Sequence, residues 1–276
     1  MLTEEQKNHF QALGFLVCKQ LLSAGEMKTI SDAFGRAMRE ARGGAPEPEL
    51  ERNAQGYSVK RQQVVPFFDY DPEAFYPLLD HEKIIGVFED LMGEDFMLTL
   101  SEGIIHAGGS RWHHDAVAPE GFFTMRAALY LDPLGPDDGC LSVIPGSHFT
   151  EFREALKKTV GQLGVRPEEA PGRYSLCNQP GDVLFMNHKL FHAALSEKAG
   201  RRAIHINCSQ NTTPERNAAH FNWLIGFLEG ETRGWGRFYS DHLIATAGPR
   251  RKKMLARAIE LGFGNTGKVS HRQDLR

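Results

Sequence analysis

The chain has 276 residues, of which 41% are hydrophobic and 24% charged, and its formal net charge is −3 at pH 7. This composition is typical of a globular protein with a buried core, and the slight acidity argues against a general nucleic-acid binder. No run approaches the roughly 18 apolar residues of a membrane span, and the acidic N-terminus lacks a signal-peptide pattern. We therefore expect a cytoplasmic protein without nucleic-acid or membrane partners.

The first elements carry clear start signals. Thr3 precedes Glu4, Glu5 and Gln6 in a capping-box pattern, which predicts a helix, and the apolar residues 15–18 predict a short strand after it. A second helix is predicted to begin after Ser23. The Gly-, Pro- and charge-rich residues 43–56 predict a surface loop.

The hydrophobic pattern of the chain changes after a predicted helix over Pro77–Met92. Short apolar runs then recur between Gly, Pro and Asp residues, at 96–100, 103–106, 124–131, 141–144, 183–186, 190–194 and 202–208. This rhythm is typical of an antiparallel β-sandwich or barrel. Further helices are predicted over Asn217–Leu228 and Arg250–Leu261. We expect one domain over residues 1–276, mainly β with flanking helices around a double-stranded β-helix (jelly-roll, cupin-like) core.

We expect structural rather than functional roles for the cysteines and for the basic run near the C-terminus. The four cysteines are scattered and form no CxxC pair, so buried, reduced thiols are expected rather than a zinc ribbon or disulfide scaffold. The run Arg250-Arg251-Lys252-Lys253 is interpreted as a solvated helix face.

A chemically suggestive stretch is RWHHDA, residues 111–116. In a strand, alternate side chains share a face, so His113 and Asp115 would point together and His114 away from them. One imidazole and one carboxylate supply two ligands of the 2-His-1-carboxylate triad, which favours non-haem Fe(II). Because His-x-Asp is common by chance, a metal site also requires a third ligand from elsewhere in the chain.

Several downstream histidines could supply that ligand. His192 opens a predicted core strand after a hairpin and can therefore face the interior of the barrel. His188 lies beside Lys189 in a predicted polar turn, where exposure is expected. The full set of candidates is His148, His188, His192, His205 and His220.

Two adjacent arginines, Arg201 and Arg202, enter the predicted strand that follows His192. An arginine pointing into a barrel needs an anionic partner, because an unpaired buried charge is costly. A dicarboxylate co-substrate could be that partner, held by the guanidinium fork. Since neighbours on a strand face opposite ways, one of the two arginines must lie at the rim in water.

Together these stretches resemble the phytanoyl-CoA dioxygenase family of Fe(II)/2-oxoglutarate oxygenases. The resemblance covers most of residues 2–208, whereas residues 215–276 resemble nothing in it. The stretches that carry it are LTEEQKNHFQALGFLV, WHHDA, ALYLDPLGPDDGCLSVIPGSH and GDVLFMNHKLFHAA followed by GRRAIHIN.

The resemblance implies the cofactors Fe(II), 2-oxoglutarate and O2. It implies His113, Asp115 and His192 as iron ligands, and Arg201 or Arg202 as the residue that grips the distal carboxylate of 2-oxoglutarate. Arg201 is favoured because Arg201-Arg202-Ala203-Ile204 fits the family's Arg-x-Ala-Ile frame.

The resemblance also implies hydroxylation, with release of succinate and CO2. Halogenating relatives replace the carboxylate ligand by a small residue, whereas this chain keeps Asp115. His148 in the Pro-Gly-Ser-His motif is expected to close a turn and not to bind metal. A departure from the family is that Ala193 and Ala194 replace its usual Gly-Ser, which removes one co-substrate contact.

The substrate is expected to be a small, acidic or polar metabolite, and the oligomeric state is left open. Candidate binders are Lys60 and Gln62 on one strand face, Arg126 if it points inward, and Asn207 on the Arg201 face of its strand. Solvated positions for Lys60, Gln62 and Arg126 are the alternative.

Two other functions are compatible with the same pattern. A jelly-roll metal enzyme that does not use 2-oxoglutarate would need no inward arginine. A non-catalytic jelly-roll binding module would need neither metal nor co-substrate.

Overall fold

The computed structural model describes residues 2–43, 45–47, 49–54, 58–115, 121–162, 170, 172–196, 198–232, 239–262 and 274–275. The helices are α1 Glu4–Leu13, α2 Ala24–Ala41, α3 Pro72–Asp80, α4 Glu82–Met92, α5 Thr150–Gln162, α6 Pro214–Thr232, α7 Asp241–Ala245 and α8 Pro249–Glu260. The strands are β1 Phe15–Cys18, β2 Glu51–Arg52, β3 Ser58–Lys60, β4 Gln62–Val64, β5 Phe96–His106, β6 Thr124–Tyr130, β7 Leu141–Val143, β8 Tyr174–Leu176, β9 Val183–Asn187, β10 His192–Ala194, β11 Arg201–Gln210 and β12 Asp274–Leu275.

Two antiparallel sheets form the β core. The larger one has the strand order β1-β9-β6-β11-β5-β4-β12, and the smaller one β10-β7-β8. Ala128 and Leu184 of the larger sheet share a buried apolar cluster with Val143 and Leu176 of the smaller one, so the two sheets pack face to face. This arrangement confirms the predicted antiparallel jelly-roll core with helices outside it.

The central strand β11 separates an inner from an outer side. Ile204 and Ile206 are fully buried in the large cluster that also contains the helices, whereas Ala203 belongs to the cluster between the sheets. Because side chains alternate along a strand, Arg201, His205 and Asn207 share the inner face with Ala203. The polar residues of β11 therefore point into the space between the sheets.

The two predicted N-terminal helices are confirmed with their caps. Thr3 Oγ1 accepts the Gln6 N–H at 3.2 Å, and Ser23 Oγ accepts the Glu26 N–H at 3.3 Å. Gly14 ends α1 in the left-handed region at φ 84°, where glycine carries no Cβ penalty. The predicted helices near residues 217–228 and 250–261 are confirmed as α6 and α8.

The predicted helix over Pro77–Met92 is two helices, α3 and α4. His81 separates them with extended backbone, and its Nδ1 accepts the Ile84 N–H at 3.3 Å. The prediction was wrong because an imidazole can cap a helix in the middle of an apolar run that otherwise has helical spacing.

The runs 96–100 and 103–106 belong to one continuous strand, β5. Ser101 and Glu102, which separate the two predicted runs, lie inside this strand, and Gly103 is a packing position: a Cβ there would lie 2.4 Å from the ring of Phe67. Helix α5, between the Pro-Gly-Ser-His motif and β8, was not predicted.

The basic run at the start of α8 is ion-paired rather than simply solvated. Arg250 binds Glu89 at 3.0 Å and Arg251 binds Asp80 at 2.7 Å, so α8 is attached to α3 and α4. Arg251 is 5% exposed, which contradicts the expected solvated face at that position. None of the described helices is both long and apolar enough to cross a bilayer.

The expectation of four buried thiols is also corrected. Cys140 and Cys208 are buried, Cys18 is half-buried and Cys177 is exposed. All four are free thiols.

Candidate active site

His113 and His192 face each other across an isolated antiparallel bridge. The His113 N–H donates to the His192 carbonyl at 3.0 Å, and the His192 N–H donates to the His113 carbonyl at 2.8 Å. The Asp115 N–H donates to the His188 carbonyl at 2.8 Å, which holds the third residue beside this bridge. One ligand atom each of His113, Asp115 and His192 lie within 4.8 Å of one another.

The local structure differs from the strand that was expected at residues 111–115. Apart from the bridge at His113, this stretch is not part of a ladder. His113 and Asp115 nevertheless converge, and His114 lies outside their cluster with its Nδ1 3.4 Å from the Asp115 carbonyl oxygen. The expected exposure of His188 is wrong, since this residue is 1% exposed beneath the site.

Both imidazoles of the cluster are oriented by backbone carbonyls. The Nδ1 atoms of His113 and His192 lie 2.7 Å and 2.8 Å from the carbonyls of Arg111 and Leu190. Nδ1–H donation at both positions leaves the two Nε2 atoms unprotonated and free to bind metal. Each Nε2 lies 3.8 Å from an oxygen of Asp115.

The protonation states suit a divalent metal. Burial lowers the pKa of His192 to about 3, so its ring is neutral and can donate a lone pair. Two imidazoles and one carboxylate form the donor set that non-haem Fe(II) prefers, with further positions left for other ligands. The residues present therefore fit ferrous iron.

Arg201 is a buried cation without a carboxylate partner among the described residues. It is 5% exposed, and its Nη1 and Nη2 donate to the carbonyls of Gly139 and Gly108, while Nε has no partner. Burial lowers the pKa of this guanidinium. Because a buried unpaired charge is costly, an anionic ligand would stabilise this side chain.

Arg202 lies in a different environment. It donates to Asp132 at 2.6 Å and to Ser31 at 3.1 Å, and a third of its side chain is exposed. Its charge is therefore already balanced on the outer side of the sheet. Of the two arginines, Arg201 is therefore the one that is buried without a carboxylate partner in the described part of the chain, and Arg202 is the one at the rim.

Arg126 points inward, toward the metal cluster. It lies on β6, directly opposite Asn207 of β11, and its Nη2 donates to Oδ2 of Asp115. Burial alone would raise the pKa of Asp115, but the positive charge of Arg126 beside it holds this pKa well below its usual range. Arg126 thus serves as the counterion of this carboxylate.

Next to Arg126 lies a buried polar network around Glu102, which was not predicted from the sequence. Glu102 of β5 accepts hydrogen bonds from His205 Nδ1 at 3.0 Å, from Asn207 Nδ2 at 3.3 Å and from Gln63 Nε2 at 3.1 Å. His188 Nε2 lies 2.9 Å from Asn207 Oδ1. Although burial opposes ionisation, the hydrogen bond from His205 and nearby positive charge lower the pKa of Glu102 to about 2. The sequence feature that could have predicted this network is the lone carboxylate of Glu102 in the largely apolar strand β5, because a buried charge requires partners.

The other candidate substrate-binding residues do not all lie on the inner face of the sheet. Asn207 lies on the inner face, as expected. Gln62 does not reach the site, because it is buried on the opposite face and its Oε1 accepts from Arg42 at 3.2 Å. Gln63, its neighbour, faces inward in its place. Lys60 belongs to β3, and its side chain lies outside the described residues.

His148 lies away from the metal cluster, as expected. Its Nε2 is 3.0 Å from the carbonyl of Gln11, so it connects the Pro-Gly-Ser-His turn to α1.

The fold and the site together define a class, the double-stranded β-helix metal oxygenases. The chain belongs to the phytanoyl-CoA dioxygenase family, whose model matches residues 10–203. Members of this family are Fe(II)- and 2-oxoglutarate-dependent oxygenases, and the chain is thereby an enzyme of this class. No curated protein sequence matches the chain.

Solved structures of similar fold come from the same class. The non-heme α-ketoglutarate-dependent carbocyclase SnoK from nogalamycin biosynthesis is 18% identical, with a TM-score of 0.59 over 76% of this chain and 84% of that one. HygX from Streptomyces hygroscopicus, with nickel, 2-oxoglutarate and hygromycin B bound, is 20% identical, with a TM-score of 0.57 over 76% and 88%. EctD from S. alaskensis, with 2-oxoglutarate and 5-hydroxyectoine, is 18% identical, with a TM-score of 0.58 over 76% of each chain. At these identities the likeness establishes the fold.

Proposed function

We propose that this enzyme hydroxylates a C–H bond of a small polar metabolite and converts 2-oxoglutarate into succinate and CO2. The observation that carries the proposal is the convergence of His113, Asp115 and His192 within 4.8 Å. This donor set and a buried arginine in need of an anion meet the two binding requirements of the family's chemistry.

In this proposal His113, Asp115 and His192 hold the ferrous ion. Bound iron and 2-oxoglutarate supply the O2-dependent oxidation of the C–H bond. Backbone carbonyls orient both imidazoles, burial keeps His192 neutral, and Arg126 keeps the carboxylate ionised and in place. No side chain is required as a general acid or base.

Arg201 is the proposed partner of the distal carboxylate of 2-oxoglutarate. It is the arginine of the pair whose charge is not already balanced, and it extends from the inner face of β11. Gly108, one of the residues that hold its guanidinium, precedes His113 by only five positions. A planar guanidinium suits the two oxygens of a carboxylate.

The polar residues of the inner face support a substrate rich in hydrogen-bonding groups. Glu102 accepts from Nδ1 of His205, so a neutral His205 presents Nε2 as an acceptor. Arg126, which had favoured an acidic substrate, is already paired with Asp115. We therefore propose hydroxyl or amino groups as the substrate features that His205 recognises, with Asn207 holding Glu102 in place beside it.

Anaerobic difference spectroscopy with Fe(II) and 2-oxoglutarate tests the proposal. The expected result is a weak visible charge-transfer band that needs both components. A jelly-roll metal enzyme of another kind would bind iron without this band, and a non-catalytic module would bind neither. Screening hydroxylated and amino-bearing metabolites against simple carboxylic acids for stimulated succinate release then tests the substrate class, and product analysis distinguishes hydroxylation from cyclisation or epimerisation.

A further inference from the structure

Two cysteines lie side by side next to the smaller sheet. The Sγ atoms of Cys140 and Cys177 are 3.8 Å apart. Strands β7 and β8 pair antiparallel with Leu141 opposite Leu176, so these cysteines occupy the next position across the same ladder. Their contact follows from the sheet register, although 37 residues separate them in sequence.

The backbone geometry suits a disulfide. Residues opposite each other in an antiparallel pair have Cα atoms about 4.5 to 5.5 Å apart, which lies within the range of about 4.4 to 6.8 Å found across disulfides. The sulfur atoms already touch, so the two Cβ–Sγ bonds point to the same side. Closing the bond requires the sulfurs to approach to about 2 Å, a movement that side-chain rotations together with a small shift of the Cys140 backbone can supply.

The two thiols differ in access. Cys177 is exposed, whereas Cys140 is 1% exposed. Burial and the neighbouring Cys177 raise the pKa of Cys140 to about 12, so its thiol stays protonated near neutral pH. An oxidant from solvent therefore meets Cys177 first.

We propose that Cys140 and Cys177 form a reversible disulfide when Cys177 is oxidised by a hydroperoxide. The Cys177 thiolate attacks the peroxide, the O–O bond breaks, and water or an alcohol leaves as Cys177 becomes a sulfenic acid. The Cys140 sulfur then attacks the Cys177 sulfur. The S–S bond forms, the S–OH bond breaks, and water leaves with the Cys140 proton. The peroxide is reduced by two electrons, which the two thiols supply.

The disulfide would also act on the buried arginine. Gly139, directly before Cys140, accepts a hydrogen bond from Arg201 through its carbonyl. Gly139 has a φ of 79°, and a Cβ there would lie 2.8 Å from Arg201 Nη1, so the contact leaves little free space. Drawing Cys140 toward β8 displaces this carbonyl and the guanidinium that it holds. This second step rests on the proposed function, and the expected effect is about fivefold weaker 2-oxoglutarate binding.

The first experiment measures the cross-link itself. The full chain is loaded with nickel(II), which does not turn over, reduced, and treated with stoichiometric hydrogen peroxide. The expected result is the loss of two of the four free thiols, a mass decrease of two hydrogens, and a peptide joining Cys140 to Cys177 that dithiothreitol releases. Cys177→Ser should abolish the cross-link, and the matched control Cys18→Ser should not. Oxygen addition at Cys177 without a cross-link, or a cross-link to another cysteine, overturns the proposal.

The second experiment titrates 2-oxoglutarate into reduced and oxidised protein by calorimetry. Weaker binding to the oxidised form, absent in Cys177→Ser, supports the effect on Arg201, and equal affinities overturn it. If reduced protein does not bind 2-oxoglutarate, the proposed function fails. The mass measurement still decides the disulfide, since it requires no co-substrate.

Discussion

Arg126 of β6 and Asp115, beside the His113–His192 bridge, form an ion pair shielded from solvent. Their side chains are 14% and 16% exposed, and Arg126 Nη2 donates to Asp115 Oδ2. Without Arg126, this carboxylate would lack a counterion whenever no metal is bound. Arg126 therefore balances the charge of the site before metal arrives.

This pair predicts that Arg126→Gln destabilises the metal-free protein more than the metal-bound one. Leaving Asp115 buried without its partner should cost on the order of 3 kcal/mol in the free energy of unfolding. A bound divalent ion supplies the missing positive charge and reduces the loss. Denaturant unfolding with and without nickel(II) measures the difference. Equal losses in both states would show that Arg126 does not act as the counterion.

His192→Ala should abolish the Fe(II)–2-oxoglutarate charge-transfer band and iron-dependent succinate formation. Loss of a metal ligand should weaken iron binding by more than about 100-fold, which exceeds the usual effect of an outer hydrogen-bond partner. Circular dichroism should show that the fold survives. His114→Ala is the matched control, because His114 lies next to the cluster without belonging to it. Undiminished turnover in His192→Ala would refute the ligand assignment.

Arg201→Met and Arg202→Met should differ sharply in 2-oxoglutarate affinity. Removing the buried Arg201 should weaken binding on the order of 100-fold, because the carboxylate of the co-substrate would lose its charged partner. Arg202 is occupied by Asp132, so its loss should leave the affinity nearly unchanged. Calorimetric titration of the nickel-loaded variants measures both. Comparable effects of the two substitutions would contradict the assignment of Arg201.

Glu102→Gln should remove a pH-dependent part of the stability. The pKa of Glu102 in the folded protein is about 2, held there by His205, Arg126 and Arg61 against the effect of burial. A folded-state pKa below the unfolded value of about 4.3 stabilises the fold above that value, and the contribution disappears as the pH falls toward 2.

The wild-type protein should therefore be more stable than Glu102→Gln by on the order of 3 kcal/mol near neutral pH. This difference should shrink between about pH 5 and pH 2. Urea unfolding across that range checks it, and a difference independent of pH would show that the carboxylate charge does not contribute.

Local sequence patterns predicted an element correctly where the hydrogen-bond donors and acceptors that define it lie close together in the chain. The capping boxes at Thr3 and Ser23 place their donors and acceptors within three residues, and both helices begin as predicted. The recurrence of short apolar runs predicted the jelly roll because strands such as β5, β6 and β9 are buried on both faces. Local patterns failed at His81, because spacing does not reveal that it caps a helix, and at Ser101 and Glu102, which interrupt the apolar run but lie inside β5.

The sequence by itself determined the β architecture, the pairing of an imidazole with a carboxylate at His113 and Asp115, and the family resemblance. Tertiary structure alone decided that Arg201 rather than Arg202 is buried without a carboxylate, that Gln63 rather than Gln62 faces inward, and that Glu102 organises the inner face. Sequence alone could not decide these points because the alternation of side chains along a strand assigns residues to two faces but does not show which face points inward. That choice, and every contact between residues far apart in the chain, depends on how the sheets and helices pack.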